Sequence, residues 1–320
     1  LVRMLWKYPS NLTSGELSDR RLHIIHEDPR QYLRSGRPGA YDAVYIGTQT
    51  PSDLVSNRVF TEEFFGIVHG RLKPNGILAL SLPGSMAYIS PEMRDMNFTV
   101  INALKRHFAE VKVIPGDNNI ILASDKANFS LTSQAIYKKM ISRKVHVPLL
   151  NPGYLQYRLS QRWEDWFKRS TAGATGFVNS DDQPVAVYQV LISWNKQFSR
   201  LTMHILQWFF GIRLWMILVL IIIMAGVLLR LRLKLKAAAG KAVLLFAVST
   251  TGFFSMAVNL ALIYSFQISY GYVYRMIGAL TAIFMAGAAA GSAVSGSINI
   301  KGREPHLKKL AVIESGMVLF

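Results

Sequence analysis

The sequence contains no cysteine among its 320 residues. This absence excludes disulfide bridges, thiolate metal sites and a cysteine nucleophile. Acidic residues are also scarce, since 19 Asp and Glu stand against 36 Lys and Arg, for a formal net charge of +17. Such an excess is typical of chains that bind nucleic acid or border a membrane. No zinc-finger spacing, RNP-like motif or basic region joined to heptads is present, so we expect no nucleic-acid partner.

Metal-binding and hydrolytic motifs are missing as well. The seven histidines show neither HxH nor HExxH spacing, and the sequence contains no Walker loop. No Ser–His–Asp set is recognisable. We therefore predict no metal site.

Long apolar runs are confined to the last third of the chain. Residues 1–200 have the mixed composition of a soluble region, whereas the chain from about Gly211 consists of apolar runs separated by short basic loops. Runs near twenty residues predict transmembrane helices, and buried helices of a soluble protein are the alternative. The predicted spans are 212–229, 242–264, 273–295 and 310–320 onward, so we expect a multi-span helical domain over 211–320.

The basic loops predict an orientation in the membrane. Arg230–Lys241 lies between the first two spans and Lys301–Lys309 between the last two, whereas Ser265–Tyr272 has no Lys or Arg. The positive-inside rule assigns both basic loops to the cytoplasm. If 212–229 spans the membrane, the soluble region then faces outward.

The first 125 residues alternate between strand and helix patterns, which predicts a mainly parallel sheet covered by helices and ending in an antiparallel pair. Thr61 and Ser90 are the predicted N-caps of two helices, the second over Pro91–Phe108. Residues 126–210 are predicted to be a helical extension, with an interfacial segment at 199–210. The predicted strands are Leu22–His26, Tyr41–Ile46, Ile77–Leu82, Val111–Ile114 and Asn119–Ala123, with a turn at Lys73–Gly76.

Several segments together resemble the polyamine aminopropyltransferase (spermidine synthase) family, and most closely its membrane-fused bacterial branch. They include RLHIIHEDPRQYLR (Arg21–Arg34), YDAVYIG (Tyr41–Gly47), NRVFTEEFF (Asn57–Phe65), LKPNGILALSLPG (Leu72–Gly84) and NSDDQPVAVYQVLISW (Asn179–Trp194). The segment Thr251–Ser292 resembles the membrane repeats of those fusions.

The resemblance implies a Rossmann-like, methyltransferase-type fold over residues 1–125. It also implies that the chain is a fragment, because the first two strands of that fold and its Gly-rich loop would lie upstream. The implied ligand is decarboxylated S-adenosylmethionine or S-adenosylmethionine, as a substrate and not a tightly held cofactor. A small-molecule amine and the lipid bilayer are the other expected partners.

Aminopropyl transfer needs a carboxylate that deprotonates and anchors the amine. In the family two acids follow the strand that corresponds to Tyr41–Ile46, but here Gly47 and Thr50 stand at those positions, before Pro51. Asp53 is nearby but out of register. We therefore assign no catalytic residue.

The ligand-binding candidates lie at strand ends, where open α/β sheets bind their ligands. Asp28 matches the family's adenine-binding Asp, and as the residue before Pro29 it is also a candidate helix cap. Asp53, Asn57 and Tyr88 are the candidate substrate-binding residues, and each can equally be a loop or capping residue.

Three functions remain open from the sequence. The first is a membrane-bound spermidine synthase-like protein that binds an adenosyl nucleoside. The second is a non-catalytic transport or scaffold protein whose soluble region binds a ligand or partner. The third is methyl transfer on the same fold. Whether the chain is an enzyme stays open, and the expected location is a bacterial plasma membrane.

Overall fold

The computed structural model describes residues 17–48, 50–126, 131–198, 239–270 and 274–297, and scattered positions elsewhere. The α/β region comprises α1 (Pro29–Ser35), β1 (Tyr41–Ile46), α2 (Leu54–Asn57), α3 (Glu62–Arg71), β2 (Leu72–Pro83), α4 (Pro91–Lys105), β3 (Glu110–Ile114) and β4 (Asn118–Ser124). The helices that follow are α5 (Ser133–Ser142), α6 (Pro152–Arg158), α7 (Gln161–Ser170), α8 (Val185–Phe198), α9 (Ala239–Tyr270) and α10 (Tyr274–Ser297).

The four strands form one mixed sheet in the order β1-β2-β4-β3. β1 and β2 pair in parallel, whereas β4 is antiparallel to both β2 and β3. The strands β1, β2 and β3 therefore run in one direction, and their carboxyl ends meet at one edge of the sheet. The predicted strands at 41–46, 77–82, 111–114 and 119–123 are all confirmed, as is the closing antiparallel pair.

The predicted strand Leu22–His26 is wrong. These residues have no regular secondary structure, and Leu22, Ile24 and Ile25 are exposed. A strand needs a neighbour for its backbone N–H and C=O groups. Within the described residues β1 is an edge strand whose sheet partner is β2, so the apolar run 22–26 pairs with nothing there.

The predicted turn at Lys73–Gly76 lies inside β2. The register passes from Tyr41 opposite Leu72 to Ala43 opposite Ile77, so residues 73–76 bulge out of the ladder. Asn75 takes a φ of +63°, a left-handed conformation that Asn tolerates better than most residues. The bulge lets β2 begin at Leu72, directly after α3.

The predicted helix start at Ser90 is confirmed. The Ser90 side chain accepts a hydrogen bond from the Met93 N–H, and Pro91 occupies the first turn of α4. Pro suits this position because its missing N–H would have no helical partner there. The helix ends at Lys105 rather than at Phe108.

The core lies between the sheet and the helices α3, α4 and α8. Leu78, Leu80 and Leu82 project from one face of β2 and are fully buried, whereas Ile77 on the other face is exposed. α8 packs against α4 and so ties residues 185–198 to the α/β region. The other core residues are Phe60, in the connection between α2 and α3, and helical residues that include Phe64, Phe65, Val68, Val100, Leu104, Ala186 and Val190.

α9 and α10 are helices that overlap the predicted spans 242–264 and 273–295, respectively. Among the described residues one helical segment, Val248–Ile268, is long and apolar enough to cross a membrane. The apolar segment of α10, Gly278–Ala293, is shorter. The predicted spans 212–229 and 310–320 and the interfacial segment 199–210 lie outside the continuously described residues.

Candidate functional site

Asp28 is a buried carboxylate that begins α1. Its side chain accepts hydrogen bonds from the backbone N–H groups of Arg30 and Gln31, at 3.1 and 3.2 Å, in the manner of an N-cap. Its Oδ2 is 2.6 Å from Nη1 of Arg58, and both side chains are almost completely buried. The helix-cap interpretation of Asp28 is thus correct, and Arg58 is a partner that sequence reasoning did not assign.

A second buried ion pair lies beside the first. The Arg30 side chain is 1% exposed and donates to both carboxylate oxygens of Asp181, each at 2.7 Å. This forked geometry is the strong form of an Arg–carboxylate pair. Arg30 joins α1 to the segment Asn179–Asp182, which precedes α8.

Thr61 occupies the N-cap position of α3 as predicted, but its hydroxyl does not cap the helix. The hydroxyl accepts a hydrogen bond from Arg30 Nη2 at 2.6 Å and donates to Asp181 Oδ1 at 2.9 Å. Charged partners form the stronger hydrogen bonds, so the ion pair holds the hydroxyl away from the helix end.

Asn57 is a buried structural residue. Its Oδ1 accepts a hydrogen bond from Nδ2 of Asn179 at 2.9 Å, and the same Nδ2 donates to the Phe60 carbonyl. Asn179 Oδ1 in turn accepts from the Ala186 N–H. The amides of Asn57 and Asn179 therefore fasten the end of α2 to the start of α8.

The loop after β1 offers one carboxylate. Its described residues, 47–48 and 50–53, contain Asp53 and no other acid. Asp53 Oδ1 accepts from the Ser56 N–H at 2.7 Å, and Ser56 Oγ accepts from the Asp53 N–H, which completes a capping box. Asp53 thus caps α2, while Gly47 and Thr50 carry no ionisable group.

The loop after β2 lies at the same edge of the sheet. Gly84 approaches the β3–β4 turn so closely that a Cβ would lie 2.3 Å from the Gly116 carbonyl oxygen. Tyr88 is 69% exposed, and its backbone N–H donates to Ser85 Oγ. Of the four candidate residues, Asp28, Asp53 and Asn57 are hydrogen-bonded to other groups, whereas the Tyr88 side chain is exposed at this edge.

The end of α9 reaches this network. Arg58 Nε donates to the Ile268 carbonyl oxygen at 2.7 Å, and the Tyr264 hydroxyl donates to the Asp181 carbonyl oxygen. Each of the two ion pairs is therefore joined to the last two turns of the apolar helix. Partners separated by 30, 151 or 210 positions leave no local sequence signal, which is why the two arginines were not assigned.

An acidic depression of about 470 Å³ adjoins the Arg30–Asp181 pair, since Glu63 in its lining accepts a hydrogen bond from the Asp181 N–H at 3.0 Å. Its lining includes Glu62, Glu63, Asp182 and His107. None of the predicted ligand-binding residues lines it.

Comparisons with known proteins support one relationship. No family model matches the chain. A polyamine aminopropyltransferase from Prochlorococcus marinus is 28% identical over 109 residues, which cover 34% of this chain and 36% of that protein. A polyamine aminopropyltransferase from Corynebacterium efficiens is 28% identical over 81 residues, or 25% of this chain and 15% of that protein. The chain thus matches about a third or less of the length of these relatives.

Solved structures of the same kind are also similar. A probable spermidine synthase from Corynebacterium glutamicum is 19% identical, and the match covers 55% of this chain and 59% of that protein's chain, with a TM-score of 0.33. A spermidine synthase in complex with the transition-state analogue AdoDATO has 17% identity, covers 53% and 57%, and gives a TM-score of 0.42. On the sequence matches, the chain is similar to the polyamine aminopropyltransferase, or spermidine synthase, family.

Proposed function

We propose that this chain is part of a membrane-attached, spermidine synthase-like protein whose α/β region binds an adenosyl nucleoside and has lost efficient aminopropyl transfer. The sequence matches to polyamine aminopropyltransferases support the ligand class. Decarboxylated S-adenosylmethionine is the first candidate ligand and S-adenosylmethionine the second. The ligand would bind at the carboxyl ends of β1 and β2, the usual position in open α/β sheets.

Asp28 retains the capacity for one further hydrogen bond. A carboxylate offers about four acceptor positions. The Asp28 Oδ1 atom already accepts from two backbone N–H groups and, at 3.4 Å, from Arg58, whereas Oδ2 accepts from Arg58 alone. An adenine amino group would donate to the remaining position on Oδ2.

The observation that carries the loss of catalysis is the composition of the loop after β1. Removing a proton from the attacking amine requires a base within hydrogen-bonding reach. Gly47 and Thr50 provide none, and Asp53 is committed to the Ser56 N–H. The α/β region would therefore bind the nucleoside without activating an amine.

We propose that α9 attaches the protein to the membrane. Its segment Val248–Ile268 has 21 residues, and 6% of its most apolar window is buried. At 1.5 Å per residue this length is close to the 30 Å hydrocarbon thickness of a bilayer. Apolar side chains exposed along such a length are compatible with lipid, and we propose an integral membrane location.

Contacts with α9 favour a second candidate function, a non-catalytic ligand-binding region that acts on membrane helices. Arg58 contacts both Asp28, at the proposed nucleoside site, and Ile268, at the end of the apolar helix. A ligand that changed the Asp28–Arg58 pair would change the contact with α9. This arrangement suits a transport or scaffold protein.

The same contacts support the outward orientation. Arg58 and Asp181 contact the Ile268 end of α9, whereas Lys241 belongs to its other end. If the basic loop ending at Lys241 is cytoplasmic, the α/β region lies on the opposite side of the membrane. Reporters active on one side only, fused at Lys126 and Lys236, should give opposite signals, and two cytoplasmic signals would contradict this orientation.

Binding and turnover test the function together. The chain, purified in detergent, should bind decarboxylated S-adenosylmethionine in calorimetry and transfer aminopropyl groups to putrescine at no more than a trace rate. Rapid transfer would replace the proposal with an active enzyme. Absence of binding, with the fold intact by circular dichroism, would remove the nucleoside site.

A further inference from the structure

Nine consecutive residues, 141–149, are exposed at the end of α5 and in the connection to α6. We call this stretch the 141–149 loop. It exposes four aliphatic side chains, including Ile141 at 61% and Leu149 at 80%, with Val145 and Val147 between them. α5 itself buries none of its residues. Because short helices depend on tertiary packing for most of their stability, this part of the chain lacks, among the described residues, the covering surface that its side chains require.

The sequence on both sides of the loop is basic. Residues 126–163 contain seven Lys or Arg and no Asp or Glu. Arg143 and Lys144 lie in the loop itself, and Lys138 and Lys139 lie on the helix before it. An exposed apolar patch rimmed by cations of one sign is complementary to a surface with apolar interior and anionic headgroups.

The helix that follows the loop, α6, ends at the same edge of the sheet as α9. Arg158, the last residue of α6, donates to the Pro115 carbonyl at the carboxyl end of β3. Arg58, at the end of α2 beyond the carboxyl end of β1, donates to Ile268. Since β1 and β3 run in the same direction, both contacts lie at one edge of the sheet. α6 packs against α5, which leads into the loop.

We propose that the 141–149 loop docks on an anionic lipid bilayer. Val145, Val147 and Leu149 enter the boundary between headgroups and acyl chains, while Arg143 and Lys144 pair with lipid phosphates. The inference rests on the proposed membrane attachment for its geometry. It adds a second, peripheral point of contact that holds the strand-end edge of the α/β region against the membrane surface.

The absence of native cysteine allows a direct test. The substitution Leu149→Cys, labelled with an environment-sensitive fluorophore, is made in the full chain, which is reconstituted into phosphatidylcholine vesicles with or without phosphatidylglycerol. The matched control is Ala40→Cys, an exposed position at the amino end of β1 and thus at the opposite edge. With the anionic lipid, the label at 149 should shift to the blue and become at least several-fold less accessible to a water-soluble quencher than the label at 40.

Charge reversal separates lipid from protein partners. The double substitution Arg143→Glu with Lys144→Glu should remove most of the protection that phosphatidylglycerol gives to the label at 149. The control is Lys105→Glu with Arg106→Glu, at exposed residues at the end of α4, which should preserve that protection. Equal quencher access at 149 and 40 would overturn the proposal. Protection that persists in detergent and disappears on dilution would overturn it in favour of contact between copies of the chain.

An alkaline carbonate wash keeps the two proposals apart. Retention of the chain on the vesicles supports membrane attachment, and the quencher access of the label at 149 then shows whether the loop docks on the bilayer. Release by carbonate, with the label protected before the wash, would refute the integral location but support the loop as a peripheral contact. Release with an unprotected label would refute both.

Discussion

The Arg58 guanidinium donates to the carbonyl oxygen of Ile268 at 2.7 Å, across 210 positions of the sequence. Ile268 lies in the last turn of α9, where backbone carbonyls have no partner within the helix. Cationic side chains are favourable at such helix ends. The same arginine neutralises Asp28, so one side chain stabilises both a helix end and a buried carboxylate.

Removing Arg58 should destabilise the protein strongly. Arg58→Ala leaves Asp28 buried without a counter-charge, and we expect a loss of about 3–5 kcal/mol in the free energy of unfolding. Lys73→Ala is the control, because Lys73 pairs with Asp42 in an exposed ion pair of a kind worth no more than about 1 kcal/mol. Urea unfolding in detergent measures both variants. Equal stability of the two would contradict the importance assigned to the buried pair.

Asp181 and its neighbour Asp182 should respond differently to truncation. Asp181→Ala strands the fully buried Arg30 guanidinium, whose Nε already lacks a partner, and should cost about 3–5 kcal/mol. Asp182 is exposed and accepts a hydrogen bond from Ser180, so Asp182→Ala should stay within about 1 kcal/mol of the parent. Thermal unfolding followed by circular dichroism makes the comparison, and similar melting temperatures for both variants would refute it.

Nucleoside binding should depend on Asp28. Asp28→Asn keeps an oxygen for the helix cap but weakens the site as an acceptor for adenine, and we expect a loss of about 1–3 kcal/mol in binding free energy. Asp53→Asn, at an exposed cap, should bind as the parent does. Calorimetry with decarboxylated S-adenosylmethionine is the measurement, restricted to variants that stay folded. Undiminished affinity of Asp28→Asn would exclude the proposed contact.

Catalysis should be gained when acids are restored to the loop after β1. A Cβ at Gly47 would meet only the Tyr45 ring, at 3.7 Å, so a side chain fits there without displacing the backbone. Gly47→Asp with Thr50→Asp should raise aminopropyl transfer by about 10²-fold, the lower range for a positioned general base. The uncharged pair Gly47→Asn with Thr50→Asn is the control. Turnover of the parent equal to that of the Asp variant would show that the base lies elsewhere.

The Glu92–Lys196 pair should contribute to stability in a pH-dependent way. Burial raises the pKa of the Glu92 carboxyl, but its own backbone N–H, Lys196 and Ser90 together lower the pKa below its ordinary value of 4.5. A lowered folded-state pKa stabilises the fold above that ordinary value, and the contribution is lost as the pH falls through the folded-state pKa. Glu92→Gln should therefore cost about 0.5–1 kcal/mol at pH 7 and nothing in strong acid.

The exposed pair of Glu164 with Lys168 provides the matched control for this measurement. Glu164→Gln should change the unfolding free energy less than Glu92→Gln does at pH 7. A loss for Glu92→Gln that is equally large at both pH values would mean that packing, and not charge, accounts for it.

Elements with local signals could be predicted from the sequence. Ser90 and Pro91 mark the start of α4 by themselves, and the largely apolar run Tyr41–Ile46 is sufficient to predict β1. Leu22–His26 has an equally apolar pattern, but a strand is defined by its neighbour, and the pattern does not contain the neighbour. The prediction therefore failed where pairing, and not composition, decides the structure.

The candidate site was predicted only in part for the same reason. Asp28 could be assigned as a cap because Pro29 follows it directly. Its pairing with Arg58, and that of Arg30 with Asp181, depend on how α1, α2 and the segment before α8 pack together. Asn57 was a candidate substrate-binding residue, and the structure shows its amide bonded to Asn179, a partner that the sequence pattern does not indicate.

The acceptor at Ile268 is a backbone atom, which every amino acid provides. Substitutions at position 268 therefore leave the contact with Arg58 in place, and natural variation there should be tolerated. A change in helix length is different, since inserting one residue between the apolar part of α9 and Ile268 rotates the terminal carbonyl by about 100° around the helix axis. The contact therefore depends on the register of α9 and not on the identity of its side chains. An insertion or deletion in α9 would separate the helix from the α/β region, whereas a point mutation would not.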